Sequence, residues 1–171
     1  DSRLHTQQNI EVDEDKKRTY AAWMSTSDFS IVQVGSEEVP DIRLDEKISG
    51  KYALGVSNLP YQQLISWEGW PRHNDFYRVD LTTGEKVSIV KDVRGSGNIS
   101  PAGKYTYWYN AEDSIWYTYG NSSQKTVKAS EKIPTSMANE LMDAPNLPNS
   151  YGIAGWTEGD RYLLIYDRYD I

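Results

Sequence analysis

The chain carries an imperfect repeat anchored on tryptophan: Trp23, Trp67 and Trp108 each lie in an aromatic run, and a related run returns at Ile165. The intervals are 44, 41 and 57 residues, the last lengthened by an insertion between Pro134 and Pro148. Repeats of roughly 40 to 45 residues built from short strands point to propeller blades, small sheets that bury both faces only by stacking on their neighbours.

The repeat holds residue by residue. Trp23, Asp28, Val34 and Gly35 superpose at a constant offset of 85 on Trp108, Asp113, Tyr119 and Gly120. Ser100-Pro101-Ala102-Gly103-Lys104-Tyr105 superposes at an offset of 57 on Thr157-Glu158-Gly159-Asp160-Arg161-Tyr162, and Phe76-Tyr77 lies 40 residues before Trp116-Tyr117. Four partial copies are visible, the fourth stopping at Ile171 where its third strand is due, which reads as a cut end. The expected fold is all-β: a partial β-propeller of about three four-stranded antiparallel blades and an incomplete one over residues 16–171.

Thirteen tyrosines and six tryptophans suit pleated, half-buried surfaces. In Lys104-Tyr105-Thr106-Tyr107-Trp108-Tyr109 three tyrosines fall on one face, Thr106 and Trp108 on the other, the period of a strand with both faces covered. Strands are expected over 20–24, 29–34, 52–57, 63–68, 76–81, 86–90, 97–100, 104–109, 114–119, 126–129, 153–156 and 162–167. Gly84 and the matching Gly120-Asn121-Ser122-Ser123-Gln124 supply hairpin turns, and Pro101 with Gly103 another. Residues 1–15 are polar and charged and read as a frayed terminus or linker. The insertion, with Met137, Leu141 and Met142, has room for one helical turn.

A formal net charge of −7 without a basic stripe argues against nucleic acid as a partner. No apolar run approaches the twenty residues of a membrane span, and the absence of cysteine excludes disulfides and thiolate metal sites. The two histidines are His5, in the polar segment, and His73, in a loop, so no two-histidine metal site is expected; His73 reads as a solvated loop residue. Gly55-Val56-Ser57-Asn58-Leu59 fails the nucleophile-elbow pattern at its last position, and Ser96 between two glycines has no elbow around it.

Glu37 with Glu38, and Glu112 with Asp113, are adjacent in turns, which sends neighbours apart rather than building an acid–base pair. Asp167 and Asp170 offer either a cation site or partners for Arg168, and a cross-strand ion pair is the simpler reading. Trp67, Trp70 and the run Tyr107-Trp108-Tyr109 are able to stack on sugar rings, but packing between sheets accounts for them without a ligand. No catalytic, cofactor-binding or metal residue is therefore assigned in this chain.

Ile99-Ser100-Pro101-Ala102-Gly103-Lys104-Tyr105 resembles the S-P-D-G-K turn of TolB-like propeller repeats, with Ala102 where Asp is usual. The blocks Trp67-Glu68-Gly69-Trp70-Pro71-Arg72 and Tyr151-Gly152-Ile153-Ala154-Gly155-Trp156-Thr157-Glu158-Gly159-Asp160, the latter running into Tyr166-Asp167-Arg168-Tyr169-Asp170-Ile171, resemble the amino-terminal propeller of bacterial prolyl-oligopeptidase-family serine peptidases. That group includes dipeptidyl aminopeptidases, and the likeness covers nearly all of the chain after Lys16. It implies a propeller lying over a carboxyl-terminal α/β-hydrolase domain that holds the whole Ser-Asp-His triad. The propeller then restricts entry to short peptides, and the location is periplasmic or secreted. No position here matches the family's paired glutamates for the substrate amine, so no substrate contact is carried over.

The expectation is thus a non-catalytic gating segment whose partners are the hydrolase domain, further blades and, through the whole protein, a peptide. Two alternatives remain open: a non-enzymatic TolB-like propeller that binds proteins in the cell envelope, and a carbohydrate-binding β-domain. Bare sheet faces also predict self-association.

Overall fold

Strand β8 (Tyr105–Asn110) is the clearest case of a sequence dictating its surroundings, because four of its six residues are buried and they alternate between two separate cores. Trp108 packs with Leu54, Phe76 and Ile99 on one side, while Tyr107 and Tyr109 pack with Trp116 and Met137 on the other. Such a strand needs a neighbour on each face, and the fold supplies both.

The computed structural model describes residues 9, 10, 12, 13 and 16–171. The chain is all-β, arranged as four antiparallel sheets. The first pairs β1 (Ala22–Met24) with β2 (Ile31–Gln33). The second is a four-stranded meander of β3 (Asp41–Arg43), β4 (Tyr52–Ser57), β5 (His73–Asp80) and β6 (Lys86–Arg94). The third repeats the meander with β7 (Gly97–Ile99), β8, β9 (Ile115–Gly120) and β10 (Lys125–Lys128). The fourth pairs β11 (Ile153–Trp156) with β12 (Leu163–Ile165).

Three apolar cores lie between successive sheets. Val32 and Val34 meet Ala53, Val79 and Leu81 between the first and second sheets. Leu54, Val56, Phe76 and Val93 meet Ile99, Trp108 and Tyr119 between the second and third. Tyr107, Tyr109 and Trp116 meet Ile153, Trp156 and Ile165 between the third and fourth. Each meander thus buries both faces, so its strands carry apolar residues on both sides rather than alternating with polar ones.

The repeat read from the sequence is reproduced in strand register. Adding 85 to the β1–β2 partners Ala22/Gln33, Trp23/Val32 and Met24/Ile31 yields the β8–β9 partners Tyr107/Thr118, Trp108/Tyr117 and Tyr109/Trp116. Adding 40 to the β5–β6 partners Val79/Lys86 and Arg78/Val87 yields the β9–β10 partners Tyr119/Thr126 and Thr118/Val127. Adding 57 to Ile99/Thr106 yields Trp156/Leu163, after which a bulge shifts the last pair, Ile153/Ile165.

Equivalent turns touch one another along one edge. The turn before β8 is closed by the Tyr105 N–H donating to Ser100 Oγ at 2.9 Å, and the turn before β12 by the Tyr162 N–H donating to Thr157 Oγ1 at 3.0 Å. A third copy, Ile48-Ser49-Gly50-Lys51-Tyr52, precedes β4 and was not recognisable by its first residues. The Ser49 N–H donates to the Pro101 carbonyl at 3.1 Å, and a Cβ on Gly50 would sit 2.6 Å from the Ala102 carbonyl oxygen. Asp160, at the place equivalent to Gly103, accepts from Ser100 Oγ at 2.6 Å and from the Lys104 N–H at 3.2 Å.

Several expectations are corrected. Among the described residues two sheets, not three, have four strands. The expected strand over 63–68 is instead a single helical turn, α1 (Ile65–Glu68), with Trp67 81 % exposed on it, so Trp67 is not equivalent to Trp23 and Trp108. Gly55 occupies the true counterpart of Trp108, where a Cβ would come within 2.6 Å of Val39 Cγ1. Strand β3 was not foreseen, because Asp41 and Arg43 mask its pattern. The insertion carries no helix but a bridge from Ala138 to Ser150, with Met137 buried against Trp116. The frayed-terminus reading of residues 1–15, and His5 with it, falls largely outside the described residues.

Candidate functional site

At the edge opposite the stacked turns, the connection from β4 to β5 folds into a polar corner. A 3-10 turn (Leu59–Tyr61) and α1 lead to Gly69, Trp70 and Pro71, joined by a cis Trp70–Pro71 bond, and then to Arg72 and His73 at the start of β5. His73 is not a solvated loop residue. Its side chain is 11 % exposed, with Nδ1 2.5 Å from Asp92 Oδ1 and Nε2 2.6 Å from Glu68 Oε2. Each ring nitrogen thus meets one carboxylate oxygen, and the imidazole bridges α1 to β6.

Beneath the imidazole, the Tyr61 ring lies 5.4 Å away and its hydroxyl donates to Asp75 Oδ1 at 2.6 Å. Asp75 is buried, and the same oxygen accepts the Asp92 N–H at 3.0 Å. That bond holds Asp92 in its left-handed conformation, with φ of 59°, and aims its carboxylate at His73. Burial, followed by the hydrogen bond to Asp75, raises the Tyr61 phenol above its ordinary value. Arg94 ties the corner together: Nη2 donates to the Glu68 carbonyl at 2.8 Å and Nε to the Pro71 carbonyl at 3.2 Å.

Beside this network opens a cleft of about 420 Å³ between the second sheet and the insertion. Arg43 of β3, Asn58 after β4, Trp70, Arg72, Ser96 and Asn149 line it, among others. The insertion is anchored here, since the Trp70 N–H donates to Asn146 Oδ1 at 3.1 Å and the Leu147 N–H to the Trp70 carbonyl at 3.2 Å. Trp70 is 58 % exposed, and the Arg72 guanidinium carbon sits 4.5 Å from the centre of its ring.

The other residues weighed from the sequence lie elsewhere and apart. Ser57 is buried at the end of β4, while Ser96 faces the cleft between Gly95 and Gly97. Glu37 and Glu38 are exposed in a bend. Glu112 and Asp113 are exposed in the β8–β9 turn, where Asp113 accepts from the Tyr117 hydroxyl. Asp167 accepts the N–H groups of Tyr169 and Asp170 at 2.7 and 2.9 Å, and Arg168 pairs with Glu140 at 3.9 Å rather than with either aspartate. Tyr107, Trp108 and Tyr109 are all buried in the inter-sheet cores and unavailable to a sugar.

Among the described residues no group of three or more His, Asp or Glu side chains is disposed to hold a metal ion, and no helix is long and apolar enough to cross a membrane. No protein-family model matches the chain, and a search of curated proteins returns no match.

Proposed function

We propose that the chain is part of a β-propeller that serves as the non-catalytic, substrate-gating portion of a serine peptidase of the prolyl-oligopeptidase family, working in the periplasm or outside the cell. The observation that carries the reading is the recurrence of strand register at offsets of 85, 40 and 57, with a core between each pair of successive sheets. Sheets that bury both faces against equivalent sheets are how propellers are assembled. The peptidase assignment rests on the likeness of the blocks at 67–72 and 151–171 to that family's propellers. In such a protein the chemistry is acyl transfer to an activated serine supplied by a hydrolase domain, and the propeller's part is to exclude folded proteins.

The test is the native reading frame beyond Ile171. Further blades and then a G-x-S-x-G elbow, with Asp and His in hydrolase order, are expected. A frame that ends once a propeller has closed would sink the peptidase assignment and leave a TolB-like binding protein. That second reading is favoured by the exposure of Trp67 and Trp70 beside a polar cleft. Self-association belongs to the proposal as well, because Met24 and Ile31 of the first sheet present apolar side chains to solvent. Sedimentation velocity is expected to show a concentration-dependent coefficient that Ile31→Asp suppresses; a constant coefficient would remove self-association from the reading.

A further inference from the structure

The cleft beside Trp70 is cationic in an acidic protein. Two arginines line it and no carboxylate does, although the chain has a formal net charge of −7. The two guanidinium groups are differently occupied. Arg43 Nε donates to Asp41 Oδ2 at 2.9 Å and Nη1 to the Gly97 carbonyl at 3.1 Å, so its charge and part of its fork are satisfied internally. Arg72 has no such partners. Among the described residues its guanidinium finds no hydrogen-bond acceptor, its Nε is buried without one, and it lies over the ring of Trp70.

The buried Nε is closed to the cleft, so the two Nη groups, which meet no protein acceptor among the described residues, are the donors left for a ligand. The Arg72 guanidinium carbon lies over the Trp70 indole, and the N–H edge of a guanidinium is what grips a planar two-oxygen anion. One unsatisfied guanidinium matches one negative charge better than the two charges of a phosphate. Around it the cleft offers the amides of Asn58 and Asn149 for polar groups and the exposed face of Trp70 for a flat or apolar body. Its volume of about 420 Å³ is that of a small-molecule site.

We propose that this cleft is a carboxylate-binding site, in which Arg72 receives the carboxylate and Trp70 carries the body of the ligand. The inference stands apart from the peptidase reading, since nothing in it requires a hydrolase domain. A carboxylate of this kind comes from the free end of a peptide or from a small organic acid, and the two are separable by experiment.

The chain is titrated at low salt by calorimetry with N-acetylphenylalanine, its neutral amide, benzoate and inorganic phosphate. Both acids are expected to bind. Tighter binding of N-acetylphenylalanine marks a peptide end as the natural ligand, and tighter binding of benzoate marks a free acid. Loss of the charge in Arg72→Gln is expected to weaken the acids by about tenfold or more. Arg72→Lys, which keeps the charge and protects against a folding artefact, should weaken them by several-fold through loss of the fork. Failure of both acids to bind, equal binding of the neutral amide, equal binding of phosphate, or indifference to both substitutions would each overturn the assignment.

Discussion

Asp160 Oδ1 accepts the backbone N–H of Ala102 at 3.0 Å, reaching across from the fourth sheet to the turn that opens the third sheet's β8. The same carboxylate also accepts from Ser100 Oγ and the Lys104 N–H, so one side chain satisfies three donors in another repeat. Replacing it strands all three.

Asp160→Ala is expected to lower unfolding stability by about 1–3 kcal/mol, chiefly because the buried Ser100 hydroxyl loses its acceptor, the Ala102 and Lys104 N–H groups being only part-buried. Urea denaturation followed by tryptophan fluorescence measures it. Asp160→Asn, which keeps an acceptor oxygen, should lose about half as much; equal losses would mean that the acceptor geometry is unimportant.

Gly50→Ala tests the contact between turns from the other side. The new Cβ would lie 2.6 Å from the Ala102 carbonyl oxygen and 2.8 Å from the Gly103 Cα, both backbone atoms that cannot move aside as a side-chain tip does. A loss of about 1–3 kcal/mol is expected. Gly152→Ala, where a Cβ meets nothing within 4 Å, serves as a comparison for the loss of backbone freedom, though its φ of 99° adds local strain. A Gly50→Ala protein as stable as the parent would show that the turns are not in firm contact.

His73→Ala should release α1 from β6. Removing the ring leaves the Glu68 and Asp92 carboxylates without the imidazole that bridges them, at about 2 kcal/mol or less, since both are partly exposed to water. Hydrogen exchange is the decisive readout: the Trp67 and Glu68 amides, which bond to the Leu64 carbonyl, should exchange faster, while the Phe76 amide in the sheet centre stays protected. Uniform acceleration would mean that the network holds the whole sheet.

Alkaline stability follows from the tyrosines. Burial and the hydrogen bond to Asp113 push the Tyr117 phenol up to about 12, and Tyr61 is raised by burial and Asp75. An unfolded tyrosine ionises near 10, so the folded state holds these protons where the unfolded state releases them. Their contribution is complete below pH 10 and declines as pH rises towards 12. The thermal midpoint is expected to fall across that window, and Tyr117→Phe should make the fall shallower; an unchanged slope would count against Tyr117 as a contributor.

Much of the architecture was legible in the sequence because two signals coincided. Period-two aromatics such as Tyr105 to Tyr109 marked strands covered on both faces, and Gly84, Gly103 and Gly120 marked the turns between them. The signal failed where composition and conformation diverged. Trp67 and Trp70 look like members of the aromatic repeat but sit on a helical turn and its exit, and Gly55 does a tryptophan's job of filling space simply by letting Val39 and Val79 approach.

The polar corner was less legible because its partners are distant in sequence. His73 meets Glu68 and Asp92, residues five before and nineteen after it, only when β5 and β6 pair and α1 folds back. Nor does anything around Asn146 or Asn149 announce that the insertion will border a cleft beside Trp70. The expectation that no catalytic residue could be assigned left Arg72 unremarked, since an unpaired guanidinium is visible only once the partners of every neighbouring arginine are known.

The stacked turns also decide how the sheets can move against one another. At the edge where Gly50 meets Gly103 and Asp160 grips the Ser100 turn, neighbouring units are riveted backbone to backbone. At the far ends of the same strands the Ala111 N–H donates to the Arg94 carbonyl at 2.9 Å, so the second and third sheets are fastened backbone to backbone there as well. Two sheets pinned at both ends cannot slide past one another without breaking main-chain hydrogen bonds at each, and the arginine-lined cleft opens beside that double fastening.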